Sequence, residues 1–162
     1  VMEANGVKVL TQREFLQHLF PEIGVLTERQ PSAEEYSDID FGMSVAREIA
    51  RLDIGQTVVV KDRMILAVEA IEGTDEAIKR AVKLARGPVV VCKVSKQGQD
   101  QRFDTPTVGM STLQAMIPES GKLGGILAVQ AKETLVVEKD EMIKFAQEKG
   151  IAIVAVPAGQ PK

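Results

Sequence analysis

Apolar positions along the chain follow two different periods. From Ser32 to about Leu52 they recur every three or four residues, at Tyr36, Ile39, Met43, Ala46, Ile49 and Ala50, the stripe of an amphipathic helix. Ser32 opens that stretch with SAEE, where Glu35 stands three residues on, a capping box; Gly42 weakens the middle. After DIGQ the period changes. TVVV and MILAVEA flank KDR, which predicts a hairpin. GTDEAIKRAVKLARG predicts a helix capped by Thr74 or Asp75, with Ala77, Ile78, Ala81, Val82 and Ala85 on its apolar side and Gly87 past its end. PVVVCKV reads as a buried strand, and a short helix is predicted near 111–117. GILAVQ and TLVVE flank another turn, KDEMIKFAQEKG predicts a helix stopped by Gly150, and IAIVAV a last buried strand. The order hairpin–helix–strand thus occurs twice, at roughly 57–94 and 125–156, with poor residue identity between the copies. The fold class predicted is α/β: a mixed sheet with a βαβ crossover, two hairpin–helix–strand units, and helices packed on the sheet.

Ahead of this block, PEIGVLTERQP at 21–31 holds two prolines and a glycine and reads as a connector. Residues 1–20 show a strand pattern, VKVL, and a helix pattern, TQREFLQHLF, stopped by Pro21. With Val1 as an odd first residue, they read as the remnant of an N-terminal domain, and 32–162 as a C-terminal one. A sequence added at the terminus is the plainer alternative.

Composition narrows the function. The 162 residues are 44% hydrophobic and 27% charged, average for a soluble globular domain. A net charge of −3 provides no basic field, so no nucleic-acid partner is expected. Aromatic content of 4% without Trp argues against stacking platforms. No apolar run approaches a membrane span and no cleavable signal is expected, which together with the single cysteine suggests the cytoplasm. Cys92 alternates with valines and reads as core; His18, the one histidine, reads as surface. Without His or Cys near a polar loop, nucleophilic triads and zinc clusters are hard to build.

The polar residues gather elsewhere. Strand 64–71 and strand 88–94, joined by a helix, should form a parallel pair with a right-handed crossover, and ligands of open α/β sheets bind beyond the strands' C-terminal edge. At that edge would lie Glu69 and Glu72, the Gly73-Thr74-Asp75 turn, Lys93, and the loop VSKQGQDQRFDTPTVG, stiffened by Pro106. Gly73 permits close backbone approach, and the helix N-terminus favours anions. Lys93 and Arg102 could neutralise phosphate oxygens, with Thr74, Gln99 and Thr107 completing a substrate-binding set. Carboxylates beside phosphate call for a cation, and Asp75, Asp100, Asp104, Glu69 and Glu72 are hard oxygen ligands suited to Mg²⁺ or Mn²⁺. Each feature has a plainer reading: a cap at the glycine turn, an edge-strand charge at Lys93, a solvent-facing Glu69.

LDIGQTVVVKD, AVEAIEGTDEAIKRA and KVSKQGQDQRFDTPTVG resemble the C-terminal domain of the LpxI-type UDP-2,3-diacylglucosamine pyrophosphatases, and GVLTERQPSAEEYSDIDFG resembles the stretch joining it to their N-terminal domain. The resemblance implies a cation-dependent enzyme of lipid A synthesis. It would hydrolyse UDP-2,3-diacylglucosamine to UMP and 2,3-diacylglucosamine 1-phosphate, with Asp104 of the DTPT motif essential. It implies a lipid-linked UDP-sugar as substrate and the N-terminal domain as partner. It also implies peripheral contact with the inner membrane through the acyl chains, and reduced activity for this chain alone. Two other readings stay open: a non-catalytic nucleotide-sugar or phosphate-binding module, and an assembly domain forming a homodimer through the hairpins and IAIVAV.

Overall fold

Side chains of the valine-rich runs alternate between two faces, and both faces are covered. The computed structural model describes residues 15–96, 105–121 and 124–158. Its elements are β1 (Gly24–Val25), α1 (Ala33–Arg51), β2 (Thr57–Lys61), β3 (Met64–Val68), α2 (Thr74–Ala85), β4 (Val90–Lys93), β5 (Thr107–Val108), α3 (Met110–Ala115), β6 (Gly125–Gln130), β7 (Leu135–Val136), α4 (Lys139–Glu148) and β8 (Ile151–Val156). Six strands form one mixed sheet in the order β1-β8-β6-β4-β2-β3. Strands β4, β6 and β8 run parallel; β2 is antiparallel to both β4 and β3. Val59, Val91, Leu127 and Ile153 share one core with Ile78 of α2 and Met142 of α4. Val58, Val60, Cys92, Ile126 and Val154 share the other with Ile39 and Met43 of α1. The result is a three-layer α/β fold whose strands are buried on both sides, which is why they read as continuous apolar runs. Among the described residues no helix is long and apolar enough to cross a membrane.

Three expectations change. First, β3 ends at Val68, and β2 lies between it and β4. The two are parallel because each is antiparallel to β2, so their C-terminal ends still share one edge, but they are not a neighbouring pair. Second, the second hairpin does not form. Strand β6 has both edges taken, by β4 and β8, so β7 has no place beside it and pairs with β5 in a separate two-stranded sheet. Third, the proline-bounded stretch at 21–31 contributes a strand: β1 pairs antiparallel with β8. Strand β8 therefore has β6 along one side and the short β1 against Val154 and Ala155 on the other. The readings that fall on residues 1–14 lie outside the described residues.

Helix α1 carries the predicted capping box: Ser32 Oγ accepts from Glu35 N at 3.2 Å and Glu35 Oε2 from Ser32 N at 2.9 Å. Its Gly42 is a packing requirement, for a Cβ there would sit 2.5 Å from Cys92 Sγ and 3.0 Å from Val60 Cγ2. Gly→Ala in a helix interior normally gains about 1 kcal/mol, whereas overpacking a core costs about 1–3 kcal/mol. Gly42→Ala should therefore destabilise the wild type in urea, and do so less in a Cys92→Ala background, where the sulfur is gone but Val60 Cγ2 remains at 3.0 Å. Additive effects in that double-mutant cycle would show that the contact is not the constraint.

Candidate functional site

The register of β2 against β4 sets Thr57 directly opposite Lys93. Both have the parity of Val59 and Val91, which face the core under α2. Side chains at the ends of the two strands thus point toward the first turn of α2. Lys93 Nζ donates to Thr74 Oγ1 at 2.8 Å, and Thr74 Oγ1 lies 2.8 Å from Glu69 Oε1 and 3.4 Å from Thr57 Oγ1. Gln56 N donates to the other carboxylate oxygen of Glu69 at 3.3 Å. Lys93 and Glu69 are 6% and 8% exposed and Thr57 is fully buried, so this polar cluster sits below the surface.

Two glycines shape it. Gly73 precedes α2 with φ +83° and ψ 168°, a region essentially reserved for glycine. A Cβ there would meet nothing, so the demand is conformational and not steric. Gly55 is the opposite case: a Cβ would collide with the carbonyl oxygen of Glu69. Its absence lets the turn before β2 lie against Glu69. Gly73 also takes the N-cap position expected of Thr74 or Asp75. Thr74 is the first helical residue and makes no capping bond, because its hydroxyl is engaged with Glu69 and Lys93.

Above the cluster lies an open cleft of about 480 Å³, one side formed by Glu72, Gly73, Thr74, Asp75 and Lys93. The facing side is formed by Thr107 of β5, by Gly109, Ser111 and Thr112 around the start of α3, and by Val137. The chain leaves β4 at Lys93 and returns at Thr107, and both residues line the cleft. Six sequence-predicted residues thus come together: Glu69, Gly73, Thr74, Asp75, Lys93 and Thr107, with Glu72 at the rim. Gln99, Asp100, Arg102 and Asp104 lie outside the described residues.

Among the described residues, the predicted cation ligands Glu69, Glu72 and Asp75 do not by themselves form a cage. Both oxygens of Glu69 accept from protein donors, and Glu72 accepts from Ala70 N at 3.1 Å and Arg80 Nη2 at 2.6 Å. The N–H of its own backbone, followed by the Arg80 guanidinium, holds the Glu72 carboxyl below its ordinary range. Among the described residues no group of three or more His, Cys, Asp or Glu could hold a metal ion. Cys92 is fully buried, and burial pushes its thiol up, away from the reactive thiolate. His18 is exposed on a short 3₁₀ turn (Gln17–Leu19).

Sequence reasoning missed Gly55, Thr57, Ser111 and Thr112. Thr57 carries a usable signal, a polar residue opening an otherwise valine strand. Ser111 and Thr112 stand beside Met110 at a predicted helix start, but the pairing of β5 with β7 that brings them across the cleft leaves no local mark.

Residues 22–154 match the LpxI C-terminal domain family. Over 95% of its length the chain is 35% identical to the UDP-2,3-diacylglucosamine pyrophosphatase LpxI of Caulobacter vibrioides, and it spans 57% of the length of that relative.

Proposed function

The chain belongs to the LpxI family through its C-terminal domain, and from that premise we propose that it forms the phosphate-handling half of a UDP-2,3-diacylglucosamine pyrophosphatase of lipid A synthesis. The observation that carries the reading is the cleft in which Lys93, the Gly73 turn, the first turn of α2 and Thr107 converge. N–H groups of a helix's first turn have no intrahelical partner and favour an anion. The Lys93 ammonium is a compact charge aimed at the same place, and the cleft can take a diphosphate group.

Within this reading the chain's own residues bind and polarise. The Gly73 turn brings backbone N–H groups against phosphate oxygens, and Lys93, with Arg102 of the loop, neutralises charge that develops on the transferred phosphoryl group. Thr107 and Gln99 orient the nucleotide side. The described carboxylates do not fit a divalent cation by themselves. Mg²⁺ or Mn²⁺ is assigned to Asp100 and Asp104 of the loop, with Asp75 on the cleft wall. The N-terminal domain of the family supplies the remaining substrate contacts, the acyl chains stay at the membrane surface, and the protein works from the cytoplasmic side.

The test is to assay the intact protein on UDP-2,3-diacylglucosamine and follow UMP release with Mg²⁺, with Mn²⁺ and after EDTA. Cleavage restored by the cation is expected. Tight UDP-sugar binding that EDTA leaves unchanged, with no UMP released, would make the domain a binding module instead.

A further inference from the structure

We propose that Glu69 and Thr74 are positioning residues: they hold the buried ammonium of Lys93 at the floor of the cleft and touch no substrate through their side chains. The inference rests on the phosphate-binding reading of that cleft, and it gives Glu69 a different task from cation binding.

Counting protons fixes the direction of every bond. A lysine ammonium has donors only, and a threonine hydroxyl has one proton and two lone pairs. The 2.8 Å contact between Lys93 Nζ and Thr74 Oγ1 is therefore donated by Lys93. The single proton of Thr74 goes to the carboxylate oxygen of Glu69, also at 2.8 Å. Thr57 Oγ1, 3.4 Å away, can then act toward Thr74 only as a donor. The one proton of the Thr74 hydroxyl is thereby committed to Glu69 and one lone pair to Lys93, with Thr57 a longer contact. The hydroxyl has no proton left for a phosphate oxygen, and Thr74 meets substrate only through its backbone N–H.

The shared hydroxyl links charge to charge. Donating to a carboxylate makes the threonine oxygen a stronger acceptor, so Glu69 strengthens the grip on Lys93 without meeting it directly in this chain of bonds. Glu69 is itself fixed by Gln56 N and by the close approach of Gly55. A lysine ammonium sits on a flexible four-carbon stem, and a fixed acceptor at its tip converts that stem into an aimed charge. An error of about 1 Å in placement can cost about a hundredfold in rate.

The experiment uses the intact protein, with turnover of UDP-2,3-diacylglucosamine, UDP affinity by calorimetry and thermal midpoint measured on each variant. Thr74→Val keeps the shape and removes the hydroxyl; kcat should fall about ten- to a hundredfold with KM nearly unchanged. Thr74→Ser should recover kcat to within about threefold, because it restores the same donor and acceptor. Glu69→Gln keeps an acceptor but not the charge, and should fall between the two. A purely structural role would lower the midpoint and leave kcat per folded molecule intact. Wild-type kcat and UDP affinity in Thr74→Val, or equal kcat in the Val and Ser variants, would overturn the inference while leaving the functional reading in place. A wild type that neither binds UDP nor releases UMP would remove both.

Discussion

Lys93→Met in the intact protein should lower kcat on UDP-2,3-diacylglucosamine at least about a hundredfold, the loss expected when a preorganised charge is withdrawn from a developing anion. Methionine has a similar length and fills the same volume, so the change removes the charge and little else. The effect should fall mainly on kcat. Lys93 is 6% exposed, and a charge acting from so shielded a position interacts far more strongly than one in bulk water. Its placement does not depend on substrate, since Thr74 already holds the ammonium. Removing it also leaves the Glu69 carboxylate buried without the cation at the far end of its hydrogen-bond chain, so some loss of stability accompanies the loss of rate. The thermal midpoint separates the two: kcat per folded molecule should fall even where the protein stays folded at the assay temperature. A rise in KM with kcat preserved would recast Lys93 as a group that binds the ground state and the transition state equally.

Much of this site could be read from the chain because it depends on local pattern. The Gly73-Thr74-Asp75 turn, the helix it opens and the strand ending in Lys93 each carry their own signal, and strand direction follows from the chain order once the hairpin is recognised. The separation of β3 from β4 has a physical reason. A crossover helix can return the chain beside its own strand or one place further, and the hairpin partner β2 occupied the nearer position. The second hairpin failed because β6 spends both edges on parallel neighbours, a fact of pairing and not of composition. The reading of Thr74 as a helix cap illustrates the general limit. Sequence shows that a hydroxyl is present, whereas its single proton is committed only when Glu69, Thr57 and Lys93 are brought around it. Gly42 and Gly55 make the same point in steric terms. Each looks like a weak spot in a helix or a turn, and each is required by an atom distant in sequence, Cys92 Sγ in one case and the Glu69 carbonyl in the other.

Asp104→Ala in the intact protein should reduce turnover at least about a hundredfold. The grounds are the DTPT motif at 104–107, the match of this chain to the LpxI C-terminal domain, and the position of Thr107, three residues on, in the wall of the cleft. Two companion measurements give the prediction its direction. Asp104→Asn preserves shape and a hydrogen-bonding group but not charge; if the carboxylate's charge is what matters, it should be as inactive as Asp104→Ala. The response of UDP affinity should depend on the cation. A carboxylate facing phosphate oxygens repels them unless a cation lies between. In EDTA, Asp104→Ala should therefore bind UDP at least as tightly as wild type, and with Mg²⁺ it should lose the gain in affinity that wild type shows. A variant that turns over at nearly the wild-type rate would take the essential role away from Asp104. One that loses UDP binding in EDTA would make Asp104 a ligand of the nucleotide itself, since no cation would then be needed to explain the contact.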